Sequence, residues 1–216
     1  MRAIVAALTI LAASMASATG APLVTLVSST FDTSAEGWTA VGDVSSFSHQ
    51  AAGGNPGGRI AAVDAAQGPI IYFVAPAAYH GDLSKAFGGQ LGFDLHVTSG
   101  PYTTSREDVT ITGGGTTLSW DIANPATGVW TSYSTSLDDA GGWKVGDRNG
   151  PAATNAQILA VLSSVTDFQI RAEYINGADT GSLDNVEISG VVPVPAGGVL
   201  MLSGLALAAG ARRWRR

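Results

Sequence analysis

Apolar and polar residues alternate with a period of two through most of the middle of the chain. Leu91, Phe93, Leu95 and Val97 fall on one side of the stretch 90–97, and Val109 and Ile111 on one side of 109–112. Leu118, Trp120 and Ile122 do the same across 117–122, Val129, Tyr133 and Leu137 across 129–137, and Phe168, Ile170, Ala172 and Tyr174 across 168–174. That repeat is the mark of a half-buried strand, and it places Phe93 and Ile170 in the core. Residues 60–64 and 182–188 read as further strands. The unbroken apolar run 70–74 has strand length and reads as buried on both sides, with Ala75-Pro76 ending it.

Helical periodicity is predicted at one place. Thr154 is a natural N-cap, Gln157 stands three residues on as in a capping box, and Ile158, Leu159, Leu162 and Val165 form the apolar stripe. Residues 52–58, AGGNPGG, form a loop by composition, and 79–89 form a compact turn or a one-turn helix. No repeat or linker divides 19–190. Many short strands at regular spacing with one short helix predict a single all-β domain, an antiparallel β-sandwich.

Both ends depart from this pattern. Met1-Arg2, an apolar core from Ala3 to Ala13 and the triplet Ala16-Ser17-Ala18 read as a signal peptide over 1–18, cleaved after Ala18. Residues 191–216 carry Val192-Pro193-Val194-Pro195-Ala196, an apolar run over 197–211, and Arg212, Arg213, Arg215 and Arg216. About 15 apolar residues make a helix of roughly 22 Å, shorter than the ~20 residues of a stable transmembrane helix. The arginines stay cytoplasmic by the positive-inside rule. Such a tail holds a protein transiently in the inner membrane until it is processed; a permanent anchor is the alternative.

Charge narrows the partners. Of 11 basic and 17 acidic residues, five basic and no acidic ones lie in the two ends, so 19–190 carries a formal charge near −11. This excludes a nucleic-acid partner, which needs a basic patch, and suits calcium or simple solubility outside the cell. With no cysteine, disulfides and thiolate chemistry are excluded.

The sequence holds no catalytic constellation. There are three histidines, His49, His80 and His96, with no G-x-S-x-G or HExxH motif. Asp138 and Asp139 are adjacent and read as turn residues. Asp94 and Glu173 could stand at a glycosidase separation, but nothing selects them. Arg171 and Glu173 share the outward side of their strand and read as a surface ion pair. Trp130 falls with Ser132, Ser134 and Ser136 rather than with the apolar set. An outward Trp beside hydroxyls suits stacking on a sugar ring; covering a sheet edge or loop is the alternative.

The tail resembles the PEP-CTERM class of bacterial sorting signals in its VPxPA variant, which implies export and an exosortase-type processing protease as partner. The body resembles the laminin B (laminin IV type A) domain. The resemblance is carried by the Phe31…Trp38 opening, Tyr72-Phe73-Val74-Ala75-Pro76, Gly81-Asp82-Leu83-Ser84, Phe87-Gly88-Gly89-Gln90-Leu91, the 108–120 strand pair and Trp143. Leu162-Ser163-Ser164-Val165, Ile170-Arg171-Ala172-Glu173-Tyr174 and Leu183-Asp184-Asn185-Val186 complete it.

The resemblance implies a jelly-roll-like sandwich akin to carbohydrate-binding modules, with no catalytic residues. It also implies a calcium site where an acid after the first-strand aromatic meets one in the last strand, here Asp32 and Asp184; Asp184-Asn185 capping a turn is the alternative. The resulting expectation is an exported, non-catalytic binding or adhesion module at the cell surface or in the extracellular matrix. A carbohydrate-binding module with a defined sugar site, and a glycan hydrolase, are the alternatives.

Overall fold

The computed structural model describes residues 22–100 and 106–192. They form twelve strands and one α-helix. The strands are β1 (Leu23–Ser29), β2 (Thr39–Val41), β3 (Val44–Gln50), β4 (Arg59–Asp64), β5 (Tyr72–Val74), β6 (Gln90–Val97), β7 (Val109–Gly113) and β8 (Thr116–Trp120). They continue with β9 (Thr131–Ser136) and β10 (Lys144–Val145), then, after α1 (Asn155–Leu162), with β11 (Val165–Arg171) and β12 (Thr180–Val191). One sheet has the order β3-β4-β12-β6-β9, with β1 also paired to β12; the other runs β10-β8-β7-β11-β5-β2. Every pair of these strands is antiparallel. The fold is the all-β sandwich that the alternation predicts, with one short helix. The signal peptide with Ala18 and the tail from Pro193 onward lie outside the described residues.

The two sheets close on one core. Leu91, Phe93 and Leu95 of β6 and Leu183, Val186 and Ile188 of β12 meet Val109, Ile111, Leu118, Phe168 and Ile170 of the facing sheet, all buried. Phe93 stacks obliquely on Tyr133, ring centroids 5.5 Å apart, and meets Trp120 edge-on at 6.2 Å. Trp38 anchors a second aromatic group with Phe31, Tyr79 and Phe168. Its indole N–H donates to the buried Ser29 hydroxyl at 3.0 Å, so the polar end of the ring is satisfied inside the core.

The helix begins as predicted. Thr154 accepts from Gln157 N, and the Gln157 side chain accepts from Thr154 N, a complete capping box. Its buried stripe is Ile158, Val161 and Leu162, while Leu159 is 41% exposed. Two other expectations change. The run 70–74 is not buried on both sides: Ile71 and Phe73 are buried, and Ile70, Tyr72 and Val74 only half so. β5 lies next to the edge strand β2. Val129 precedes its strand and is 51% exposed, because pairing starts only at Thr131.

Arg171 and Glu173 also correct the sequence reading. They are 2% and 5% exposed, not outward on a wet face. At this end the chain crosses from one sheet to the other, and Ala172 N bonds Ile71 O while Arg171 N bonds Asp108 O, so both sides of the backbone are covered. Arg171 pairs with Asp108 at 3.3 Å, donates to the Glu173 carbonyl, and lies 4.3 Å from the centre of the Tyr174 ring. The Glu173 carboxylate instead accepts from Ile71 N at 3.0 Å.

Glu173 shares this end with Asp64 and Asp179, each 5% exposed. Burial, and then the charges of Glu173 and Asp64, push Asp179 up to about 6. Burial pushes Glu173 above its ordinary value too. A raised carboxyl contributes stability that is fully present below its unfolded value and is lost as pH rises through the folded one.

Two predictions follow from this packing. Phe93→Ala should cost about 3–5 kcal/mol in urea unfolding, and a loss below about 1 kcal/mol would place the ring outside the core. Asp179→Asn keeps an oxygen for Tyr174 N but removes the charge. It should leave stability near pH 4 little changed and raise it at pH 7.5 by roughly 1–2 kcal/mol, one pKa unit being about 1.4 kcal/mol. Equal effects at both pH values would mean that Asp179 stays ionised without cost.

Candidate functional site

The first sheet turns its second face away from the core. Opposite the buried Leu91, Phe93 and Leu95, β6 presents Gln90, Gly92, Asp94 and His96. Ser132 and Ser134 of β9 lie beside Asp94 and Gly92, and Ser182, Asp184 and Glu187 of β12 flank His96, Asp94 and Gly92 on the other side. The face is therefore a field of hydroxyls, carboxylates and amides.

The glycine-rich loop 53–58 lies across the middle of it. Asn55 N donates to Asp184 Oδ2 at 2.6 Å, and Asn55 Nδ2 donates to Asp94 Oδ2 at 3.2 Å. Asn185 Nδ2 donates to the same Asp94 oxygen at 2.8 Å and to Asn55 O at 2.6 Å. Asn185 N completes the group with Asp184 Oδ1 at 2.7 Å. On the loop's far side, Gly58 N donates to Asp32 Oδ1 at 3.3 Å. A side chain at Gly57 would strike the Asp32 carboxylate, and one at Gly54 would strike Gly58 O and the Asp184 carboxylate. Glycine is needed there because backbone approaches carboxylate directly.

Asp184 and Asp32 thus address one loop, and the structure brings the two predicted acids to its opposite sides. Asp184 sits within β12 at a break of register between Asp184 and Glu187, where Asn185 has φ 51°. It is a bulge, not a turn before the strand, and Asn tolerates that backbone better than most residues. Asp184 is fully buried. Burial pushes its carboxyl up, the two amide donors pull it down, and Asp94 and Asp32 push it up further. Among the described residues no three His, Asp or Glu side chains are grouped to hold a metal ion. Asn55 N ties the 53–58 loop to Asp184, and Gly58 N ties it to Asp32.

Trp130 stands at one end of this face. It is half-buried, its Nε1 donates to Gly53 O at 3.2 Å, and its ring leans on His96 with centroids 5.5 Å apart. Beneath it, His96 Nδ1 and Ser182 Oγ are buried without a hydrogen-bond partner among the described residues, on residues directly opposite each other in the β6–β12 pairing. At the other end, past the loop, a groove of about 250 Å³ runs over Gln90, Gly92, Asp94, Asn185, Glu187 and Ser189. Gly92 leaves its floor open.

Other predicted residues fall elsewhere. Asp94 lies on β6 and Glu173 in the crossing between β11 and β12, and they share no hydrogen-bond partner. Asp138 caps a single helical turn, accepting from Ala140 N, as a turn residue should. Val192 of the sorting motif is 38% exposed at the end of the described chain. Sequence reasoning missed Asn55 and Asn185. The six-residue crowd of Gly, Asn and Pro at 53–58 was the available signal, since a loop so rich in glycine marks close backbone approach.

A family model, Laminin B (Domain IV), matches residues 72–200. The chain belongs to the laminin B family. The match holds Asp94, Trp130, Asp184 and Asn185; Asp32 and the loop 53–58 precede it. This laminin B chain is 28% identical over 130 residues to laminin subunit gamma-2 of Homo sapiens, and equally to that of Equus caballus, covering 57% of this chain. It spans only 10% of the length of those relatives. Among solved structures, the L4b domain of human laminin alpha-2 aligns with a TM-score of 0.51 and 22% identity over 56% of this chain and 70% of that one. An exo-beta-agarase aligns at 0.50 and 15% over 80% of this chain and 26% of that one. Both share the sandwich fold.

The loop's attachment gives a direct test. Asp184→Ala leaves Asn55 N and Asn185 N without their acceptor and should lower stability by about 2–4 kcal/mol. Urea unfolding that moves by less than about 1 kcal/mol would show that the loop is held by other contacts.

Proposed function

We infer that this laminin B chain is an exported, non-catalytic binding module that holds extracellular polysaccharide on the outward face of the β12 sheet. Trp130 carries the reading. It is a partly open aromatic ring at the end of a row of serines, carboxylates and amides, and sugars are held by that combination: a ring under the apolar face of a pyranose, and hydrogen bonds to its hydroxyls. Family membership supports an extracellular setting. The tail motif supports delivery by an exosortase-type protease after transient insertion in the inner membrane. Calcium between Asp32 and Asp184 stays a proposal, supported by their convergence on one loop.

Binding is measured by titrating the protein with the polysaccharide of its own host and with an oligosaccharide panel. Trp130→Ala should weaken binding about tenfold, or ~1.4 kcal/mol. Gly92→Val should weaken it without unfolding the protein, because a Cβ there meets nothing closer than 3.6 Å while the side chain fills the groove. Binding unchanged in both variants would move the ligand off this face. In protein recovered from the cell surface, intact mass reports whether the Arg212–Arg216 cluster has been removed; a full-length C-terminus would sink the processing reading.

Calcium is tested by the melting curve. A bound ion stabilises by RT ln(1 + [L]/Kd), about 2.7 kcal/mol at a hundredfold excess over Kd. Millimolar calcium should therefore raise Tm by several degrees and EDTA should reverse it. Identical curves with and without calcium would dismiss the ion.

A further inference from the structure

Large apolar side chains are exposed in few places among the described residues, and two of them, Val24 and Val192, gather at one spot. Leu23, 48% exposed, lines the polar groove on the other face of β1, whereas Val24 and Val192 are 47% and 38% exposed side by side. Beside them lies a groove of about 500 Å³ lined by Val24, Leu26, Lys85, Phe87, Val191 and Val192. The groove sits where the chain enters and leaves the domain. Val192 N donates to Pro22 O at 2.8 Å, and Leu23 pairs with Val191 in the sheet. Gly190 lets β12 run close under the 84–86 turn that forms the groove's other wall, since a side chain there would strike Lys85 O.

Sequence continues from this spot into an apolar run. Five residue steps separate Val192 from Gly197, where the run over 197–211 begins. An extended chain covers at most ~3.6 Å per residue, so Val192 stands within about 18 Å of any bilayer that takes in that run. An apolar surface so tethered has a nearby apolar partner. The net negative domain gains nothing from anionic headgroups, and the groove offers one cation, Lys85.

We propose that the groove and its exposed rim of Val24 and Val192 rest on the headgroup–acyl boundary of a zwitterionic bilayer while the tail is attached, docking the domain against the membrane by apolar contact. This rests on the reading that residues 197–211 enter the membrane.

The absence of cysteine makes the test clean. The full chain carrying Val24→Cys, with Leu26→Cys, which lines the same groove, as an independent second site, is labelled with an environment-sensitive dye and reconstituted with phosphatidylcholine vesicles. Val129→Cys, another exposed apolar position, serves as the reference. Both β1 labels should shift to the blue and lose aqueous iodide quenching several-fold on reconstitution, with the Val129 label unchanged and the shift insensitive to salt. If the protein floats with the vesicles but the β1 labels quench as freely as the reference, the docking surface is overturned while membrane insertion stands. Failure to float overturns both. A blue shift that appears without lipid and grows with protein concentration would make the surface a contact between two copies, and the proposal would fall.

Discussion

The architecture hangs on one strand. β12 pairs with β6 along one edge, and with β4 and then β1 along the other. A twelve-residue strand with three antiparallel partners fixes the register of the whole first sheet, because a slip of one residue would turn its buried set outward. Its bulge is what lets that strand serve two purposes. Leu183, Val186 and Ile188 all reach the core, which strict alternation could not give, and the extra residue leaves Asp184 and Asn185 together on the outward side. The loop 53–58 docks on that pair. Core closure and the outward polar face therefore come from the same local departure from regular strand geometry.

Burying Asp184 is costly unless its oxygens are occupied, and the neighbouring Asp94 adds repulsion. Backbone amides meet the need at both oxygens of Asp184. Asp94 is served by side-chain amides from Asn55 and Asn185. A Cβ at Gly54, Gly57 or Gly58 would strike Gly58 O and the Asp184 carboxylate, the Asp32 carboxylate, or Phe31 O, which is the physical reason for glycine at those positions. At the other end of the domain the same problem has a weaker solution. Arg171 balances Asp108, but Asp64, Glu173 and Asp179 crowd together with fewer donors, and it is there that a carboxyl is pushed up to about 6.

Much of this was legible in the residues. Where one face is wet and one is dry, period two located β6, β7, β8 and β11 and put Phe93 and Ile170 in the core; a cap and its partner located α1. The reading failed where both faces of a strand are covered, as at Arg171 and Glu173, because alternation carries no signal there. It also passed over β3, whose Ser-rich outward side and edge position leave few apolar residues to mark it. At the site, Asp32 and Asp184 were visible as acids in the first and last parts of the domain. Their common object, a loop whose contacting residues lie 26 positions after Asp32 and 129 before Asp184, was not, since register and bulge position exist only in the assembled sheet.

The same strand also orders the surfaces in space. Ser182, beside the His96 that Trp130 packs on, and Val191, at the apolar groove, lie nine residues apart on β12, and strands rise about 3.4 Å per residue, which separates them by roughly 30 Å. The aromatic end of the polar face thus lies away from the place where the described chain enters and leaves the domain. A polymer lying over Trp130 and the loop 53–58 would not compete for space with whatever lies against Val24 and Val192. Rigid sheet, rather than a linker, sets that distance, so a domain held at one end of β12 presents its polar face at a fixed height above the support.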